Sequence, residues 1–266
     1  NQLVVSNISN VTVVGDNSTL LVNPRYANVI CFRKCSNIKL IGLTLGHTPR
    51  KGSCMGSVLR FENCNNIQLD SLELFGCGTY GIELENCTNI RTNGTKIFEC
   101  SYGALSIINS NLEFSNSMIY DCNKTVGCII EATNSQLDFN NVSIFNNYID
   151  NYLISLESSS LFCSGVCVYS NSFAGLCNQA IPFGLFEENN VIQSGEEFNI
   201  TISSSKKTTR DVYEEIKEFV CIYGKIEESV FDDGQIYINV ITSRFENISQ
   251  IESFIEGYDN LATACG

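Results

Sequence analysis

Four charged residues in two similar short segments are the part of this sequence best placed to do chemistry. Arg60 and Glu62 alternate in LRFE, and Glu83 and Glu85 alternate in IELE. Alternating side chains on a β-strand share one face, so neighbouring strands would bring all four together. Three carboxylates could provide part of a calcium site, which needs six or more oxygen ligands. The alternative is a solvated ladder in which Arg60 neutralises the stacked glutamates.

A second group of reactive side chains falls in the segment GHTPRKGSCMGS, between Leu45 and Val58. It contains His47, Arg50 and Lys51, and a basic loop on an acidic protein could bind a carboxylated or sulfated sugar. The segment also holds a cysteine, so a His–Cys pair could start a metal site or pair a nucleophile with its base. An ordinary polar insertion is the alternative.

Glu99 and Asp121 occupy equivalent positions in neighbouring sequence repeats, and Asn146 follows in the next one. Two like charges at this spacing could hold a cation, while exposed polar residues are the simpler interpretation. An inverting glycosidase needs two opposed carboxylates, and the repeats contain no convincing pair.

The overall charge excludes some classes of partner. A net charge of −13 and a pI near 4.5 argue against nucleic acid and against an anionic membrane surface, because both require clustered Lys and Arg. No run of eighteen apolar residues is present, so no membrane span is expected. A monomer is expected, with a secreted or cell-surface location; a cytoplasmic location is the alternative.

Internal repetition dominates the first two thirds of the chain. Residues 56–122 are three near-copies, GSVLRFENCNNIQLDSLELFGC, GTYGIELENCTNIRTNGTKIFEC and SYGALSIINSNLEFSNSMIYDC. Short runs of alternating apolar residues predict half-buried strands, and columns of like residues predict side chains stacked between coils. The asparagine column is Asn10, Asn37, Asn66, Asn89, Asn111, Gln136 and Ser160, and the aromatic column is Phe75, Phe98, Tyr120, Phe145 and Tyr169. The pattern predicts an all-β parallel β-helix, a solenoid of about seven coils over residues 1–176.

The cysteines fit small inward-facing positions in this solenoid. One repeat position holds Cys35, Cys64 and Cys87, another holds Cys77, Cys100 and Cys122, and later copies have Asn or Ser there. Side chains in register on parallel strands point the same way rather than at each other. Reduced, buried thiols are therefore favoured, with several disulfides as the alternative.

The coil motif C-x-N-I-x-L, seen in CSNIKL and CNNIQL with CTNIRT as a looser copy, resembles the repeats of the pectate lyase-like superfamily. The resemblance implies a right-handed parallel β-helix that binds or acts on acidic polysaccharides along a strand face. For a lyase it implies a calcium cluster beside an Arg or Lys base, and Arg60 is the candidate base. The hydrolases of this superfamily carry Asp motifs and Gly-His-Gly, which the chain lacks.

The residues after 176 follow a different pattern. Residues 177–195 are interpreted as an irregular last coil and a linker, and residues 196–266 as a small α+β domain. FNITIS predicts a strand at 198–203, and apolar spacing predicts a helix at 209–223. Two further apolar runs flank Asp232-Asp233-Gly234, which predicts a hairpin.

A second helix is expected at the end of this domain. Ser249 with Glu252 forms a capping box, and apolar residues continue at helical spacing to Leu261. The order β-α-β-β-α is ferredoxin-like without an evident final strand.

These patterns favour a non-catalytic recognition or surface protein. It would present its coil face and the 46–56 loop to a glycan or protein partner, and the candidate ligand-binding residues are His47, Arg50, Lys51 and Arg60. The alternative is a polysaccharide lyase that acts on acidic polysaccharide with calcium. The candidate metal ligands are Glu62, Glu83, Glu85, Glu99 and Asp121, and no cofactor other than calcium is expected. A third hypothesis is a structural solenoid whose C-terminal domain carries the interaction.

Overall fold

The computed structural model describes residues 3–23, 26–48, 55–76, 79–124, 127–180, 182, 184–188, 190–192, 198–223, 225–242, 245–258 and 260–265. The chain forms two compact units, Asn1–Ile192 and Gln193–Gly266, and each has its own apolar core. Within the described ranges, no helix is both long enough and apolar enough to cross a membrane.

The first unit winds successive coils of the chain into parallel sheets. Sheet 1 contains β1 (Leu3–Ser6), β3 (Ile30–Arg33), β5 (Leu59–Glu62), β8 (Tyr80–Glu85), β11 (Gly103–Ile108), β15 (Ile130–Thr133), β19 (Tyr152–Glu157) and β23 (Gly175–Cys177). Sheet 2 starts with the long strands β2 (Ser9–Val22) and β4 (Ser36–His47).

Beyond β4, sheet 2 divides into two arms because later coils break the long strand into two short ones. The first arm contains β6 (Asn65–Asp70), β9 (Thr88–Asn93), β12 (Asn111–Ser115), β16 (Gln136–Asn140) and β20 (Ser160–Ser164). The second arm contains β7 (Glu73–Phe75), β10 (Lys96–Phe98), β13 (Met118–Tyr120), β17 (Ser143–Phe145), β21 (Val166–Tyr169) and β24 (Leu185–Glu188). A short sheet 3 contains β14 (Asn123–Lys124), β18 (Tyr148–Ile149), β22 (Ser172–Phe173) and β25 (Val191–Ile192).

This architecture confirms the predicted parallel β-helix of about seven coils. Inward residues pair with like residues on the next coil, as Phe114 pairs with Phe139, and both are fully buried. Strands also continue past residue 176. β24 pairs with β21 and β25 pairs with β22, so the solenoid extends to Ile192.

A buried column of small polar side chains links the coils at the corner between sheet 1 and the first arm of sheet 2. The Cys64 thiol donates to the Glu62 carbonyl at 3.4 Å and accepts from the Cys35 N–H at 3.4 Å. Ser110 repeats the arrangement with its hydroxyl, which accepts from the Cys87 N–H at 2.8 Å. The predicted inward slot that accepts Cys or Ser is confirmed.

A second buried column uses amides in place of thiols. The Asn147 amide accepts from the Cys122 N–H at 3.0 Å and donates to the Ile119 carbonyl at 3.1 Å. Asn171 accepts from the Asn147 N–H at 2.9 Å. Each such side chain therefore satisfies backbone groups on neighbouring coils.

The asparagine column lies on the outside of the solenoid. The Asn37 amide donates to Asn10 at 2.9 Å, Asn66 donates to Asn37 at 2.6 Å, and Asn89 donates to Asn66 at 2.9 Å. All four residues have positive φ, between 54° and 59°, a conformation that Asn tolerates better than most residues. The predicted stacking is confirmed as a chain of amides from Asn10 to Asn89, and these asparagines also turn the corner.

The aromatic column is an outward, half-buried stack rather than part of the interior. Neighbouring ring centroids from Phe75 to Tyr169 are 5.0–5.4 Å apart, with interplanar angles of 4–10°. Gly46 makes room for its first member, because a Cβ there would lie 2.7 Å from the Phe75 ring.

The second unit is a four-stranded antiparallel sheet with two helices, in the order β-α-β-β-α-β. Its elements are β26 (Phe198–Ser204), α1 (Arg210–Tyr223), β27 (Lys225–Asp232), β28 (Gln235–Thr242), α2 (Phe245–Ile255) and β29 (Leu261–Cys265). The strand order β27-β28-β26-β29 confirms the ferredoxin-like expectation. The hairpin turn at Asp233 and Gly234 has φ values of 43° and 78°, as a two-residue turn of this type requires.

Two expectations for this unit are wrong in detail. β29 supplies the final strand, which pairs with β26, so Leu261 belongs to a strand and not to the second helix. Covering the edge of β26 favours this arrangement. α2 begins at Phe245, which places Ser249 inside the helix rather than at its N-cap.

Replacement of Asn147 by alanine tests the buried amide column. The change Asn147→Ala leaves several buried backbone groups without partners, so the free energy of unfolding is expected to fall by about 3 kcal/mol. Asn140→Ala is the control, because Asn140 is exposed on β16, and it should change stability by less than about 0.5 kcal/mol. Urea denaturation followed by circular dichroism measures both, and equal stability of the two variants would contradict the column's role.

The cysteines give a second test. All cysteines that the structure describes with side chains are free; Cys167 is exposed, whereas Cys64 and Cys87 are buried. Brief alkylation of the native protein is therefore expected to label Cys167 before the buried cysteines that the structure describes. Cys64 and Cys87 should react only after denaturation, and they should then react without added reductant. Peptide mass spectrometry reads out each site, and a Cys64 peptide that needs reductant to react would show a disulfide.

Candidate functional site

The predicted charged cluster on sheet 1 forms as expected. β5 and β8 pair Arg60 with Glu83 and Glu62 with Glu85. The Arg60 guanidinium bonds to Glu62 through Nε at 2.6 Å, to Glu85 through Nη2 at 3.0 Å, and to Glu83 through Nη1. One arginine therefore contacts all three carboxylates.

The electrostatics of this cluster favour its interpretation as a ladder of ion pairs. They argue against a catalytic base with adjoining metal ligands. Burial alone lowers the pKa of Arg60, but the adjoining carboxylates outweigh it and raise that pKa above its ordinary value. Burial alone raises the pKa of Glu62, but hydrogen bonds and charges from Arg60 and Arg33 hold it below its ordinary value. Arg60 therefore stays protonated at neutral pH, which is the wrong state for a base.

Both carboxylate oxygens of Glu62 and of Glu83 are already engaged by cations or a hydroxyl. Arg33 Nε lies 2.8 Å from the second oxygen of Glu62, and the Ser57 hydroxyl donates to Glu83 at 2.7 Å. Across the described ranges, no group of three or more His, Cys, Asp or Glu side chains has an arrangement suited to a metal ion. Calcium binding stays a prediction.

The residues predicted in and near the insertion fall in different settings. His47 ends β4 and is only 3% exposed, and its Nε2 lies 2.7 Å from the Ala27 carbonyl oxygen. Burial lowers its pKa despite that hydrogen bond, so the ring is a neutral, interior group. Arg50 and Lys51 lie outside the described residues.

Glu99 and Asp121 occupy equivalent exposed turns that follow β10 and β13. Their φ values are 55° and 53°, and Asn146 in the next coil has 53°. This column therefore shares a left-handed backbone conformation. The three residues share the conformation of a turn. In the described part of the chain, neither Glu99 nor Asp121 belongs to a group of side chains suited to a metal ion.

A recess that the sequence reading did not identify lies along the corner between sheet 1 and the first arm of sheet 2. It has a volume of about 800 Å³ and is open to solvent. We call it the corner groove. Its lining residues are Asn65, Cys87, Thr88, Asn89, Asn109, Ser110, Asn111, Asn134, Ser135, Gln136, Ser158 and Ser160. None of these side chains is charged.

A change in corner length coincides with this recess. In the coil containing β8, three residues separate the left-handed Asn86 from the inward Ile90. In the next coil, two residues separate the left-handed Asn109 from the inward Leu112. The later coils keep the short form, so the groove lies where a longer corner adjoins shorter ones. The signal is visible in the sequence as CTNI followed by SNL.

The groove divides into an engaged floor and an available rim. The Ser110 and Ser135 hydroxyls each donate to a carbonyl at 2.7 Å and accept from a backbone N–H. The exposed side chains of Gln136, Ser158 and Ser160 make no hydrogen bond with any described residue. The amide and hydroxyl groups of these three rim residues are therefore free to bind a polar ligand.

The sheets and stacked columns define the class of molecule: the chain is a parallel β-helix repeat protein. No family model matches the sequence, and no curated protein matches it. Among solved structures, it is similar to the tailspike protein gp49 from Pseudomonas phage LKA1, with 10% sequence identity and a TM-score of 0.42. The match covers 99% of this chain and 63% of the tailspike chain. Membership of the pectate lyase-like superfamily stays a prediction.

Replacement of Glu62 tests the charged cluster. The change Glu62→Gln is expected to lower the free energy of unfolding at pH 7 by about 1 kcal/mol, because the side chain is largely shielded from water. In the folded chain the pKa of Glu62 lies below its ordinary value of 4.5. The stability that Glu62 contributes is therefore fully present above about pH 4.5 and is lost as the pH falls through the lowered pKa.

Urea unfolding at pH 7 and at about pH 3 measures the effect, since the contribution declines once the pH is below the ordinary pKa of 4.5. The matched control is Glu113→Gln, because Glu113 pairs with Arg91 in an exposed setting. A difference between wild type and Glu62→Gln that stays constant with pH would contradict the assignment.

Proposed function

We propose that the protein is a non-catalytic recognition protein that binds a polysaccharide through the corner groove. The carrying observation is that the groove is lined by amide, hydroxyl and thiol side chains contributed by successive coils. Sugar hydroxyls both donate and accept hydrogen bonds, and amide and hydroxyl side chains match them in both roles.

The size and openness of the groove support an extended ligand. Its volume of about 800 Å³ falls within the range of about 300–1,000 Å³ that is typical of ligand sites. The lining residues belong to a run of neighbouring coils rather than to one loop. A ligand that follows the solenoid axis would contact each of these coils in turn.

The composition of the groove supports binding without turnover. Hydrolysis of a glycosidic bond generally requires two carboxyl groups on opposite sides of that bond, and none of the lining residues has one. The polysaccharide lyase alternative rests on Arg60 as a base, and the raised pKa of Arg60 weighs against it. No specific contact favours the lyase over the recognition protein.

Two groove residues provide the test of this proposal. Gln136→Ala combined with Ser160→Ala removes polar groups from the rims of two coils, and neither residue has positive φ. Loss of about two neutral hydrogen bonds is expected to raise the Kd for a bound polysaccharide about tenfold. Isothermal titration calorimetry measures the change with a ligand selected from a polysaccharide panel.

The control is Asn140→Ala, which alters an exposed residue at the other end of the same strand, β16. It is expected to leave affinity unchanged. Unchanged affinity in the groove variant, with its fold intact by circular dichroism, would remove the corner groove as the binding site.

A further inference from the structure

We infer that the corner groove selects an uncharged polysaccharide and places one sugar unit against each coil. This inference rests on the proposed function and specifies the ligand class for the same site. It depends on three features of the described chain: the repeat distance of the groove, the occupied state of its floor, and the charges along its margins.

The repeat distance sets the register of the ligand. Asn111, Gln136 and Ser160 pair directly across β12, β16 and β20, and neighbouring strands lie about 4.8 Å apart. A pyranose unit in an extended chain is close to this length. A chain along the axis would therefore present the same hydroxyls to an equivalent side chain on each successive coil.

The state of the groove floor limits which side chains can form hydrogen bonds with the ligand. Ser110 and Ser135 are buried and committed to neighbouring backbone groups. Recognition therefore falls to the exposed rim, where the members are neutral amides and hydroxyls. Neutral groups can satisfy sugar hydroxyls, but they cannot compensate the charge of a uronate or sulfate.

The margins of the groove carry negative charge. Glu113 and Asp138 lie on the exposed face of the first arm, two residues beyond Asn111 and Gln136, and Glu157 lies at the sheet 1 edge beside Ser158. Arg91 pairs with Glu113 at 3.1 Å. Within the described ranges, no ion pair involves Asp138 or Glu157.

Glu85, at the equivalent sheet 1 edge, is already paired with Arg60. The remaining margin is therefore acidic, in a chain with a net charge of −13. An anionic polymer lying in the groove would pass Asp138 and Glu157 at close range and be repelled. Selection against the wrong ligand by like charge is a common source of specificity.

The decisive experiment uses polygalacturonate and its fully methyl-esterified form, because the two polymers share sugar and linkage and differ in charge. A panel of uncharged glucans, mannans and galactans accompanies them. Affinity electrophoresis and calorimetry at low salt are expected to show binding to at least one uncharged polymer. For the matched pair, we expect at least about tenfold weaker binding to the acidic form.

The charge variant Asp138→Asn combined with Glu157→Gln identifies the source of the discrimination. It is expected to narrow the difference between the esterified and acidic polymers, and added salt should do the same by screening. Binding of uncharged ligands should not change. Equal or tighter binding of the acidic polymer by wild type would overturn the inference while leaving the proposed function intact.

Absence of binding to every polymer, charged or uncharged, would overturn the proposed function as well.

An oligosaccharide length series from the bound polymer tests the register. The groove draws residues from the corners of five coils, those of β6, β9, β12, β16 and β20, so affinity should rise with each added unit and level off near five. Affinity that is independent of length would overturn the arrangement of one unit per coil.

Discussion

Two corners of the β-helix depend on a column of small buried side chains that satisfy backbone groups of neighbouring coils. A corner turns the chain out of the sheets, and the N–H groups there would be costly to bury unpaired. A thiol at Cys64, a hydroxyl at Ser110 and an amide at Asn147 solve the same problem with different chemistry. This shared duty explains why Cys, Ser and Asn replace one another in the columns.

Because the buried columns satisfy these corners, some outward side chains of the later coils, such as Gln136 and Ser160, make no hydrogen bond with any described residue. This freedom separates the two candidate surfaces of the molecule. On sheet 1, Arg60 and its three glutamates are paired with one another, so few of their hydrogen-bonding atoms remain for a ligand. In the corner groove, Gln136 and Ser160 keep their hydrogen-bonding capacity, and the surface best able to bind a polar molecule is the one with the least internal pairing.

The repeats made most of the first unit predictable, because stacking forces like residues into columns that a single sequence reveals. The buried cysteine positions, the asparagine chain and the approach of Arg60 to Glu83 follow from that logic. The burial of His47 does not, since it depends on the carbonyl of Ala27 in the preceding coil. Likewise, β29 is formed by pairing with β26, whereas its own apolar spacing also suits a helix.

The groove was missed for a different reason. Aligning the copies by residue type emphasises what the coils share, and the recess coincides with what they do not share, the corner residue lost between Asn86 and Asn109. A column alignment absorbs such a loss as a gap. The three-dimensional effect of the gap becomes visible only when the corners are stacked on one another.

The short corner also makes the length of the groove a modular property. Each coil with this corner adds one equivalent set of polar groups. The neighbouring coils can pair with any added coil whose strands keep the same register. Duplication of one such coil would extend the recess by one repeat without altering its chemistry, and deletion would shorten it by the same step. Divergence in this architecture can therefore change the length of the recess in whole units, independently of the side chains that line it.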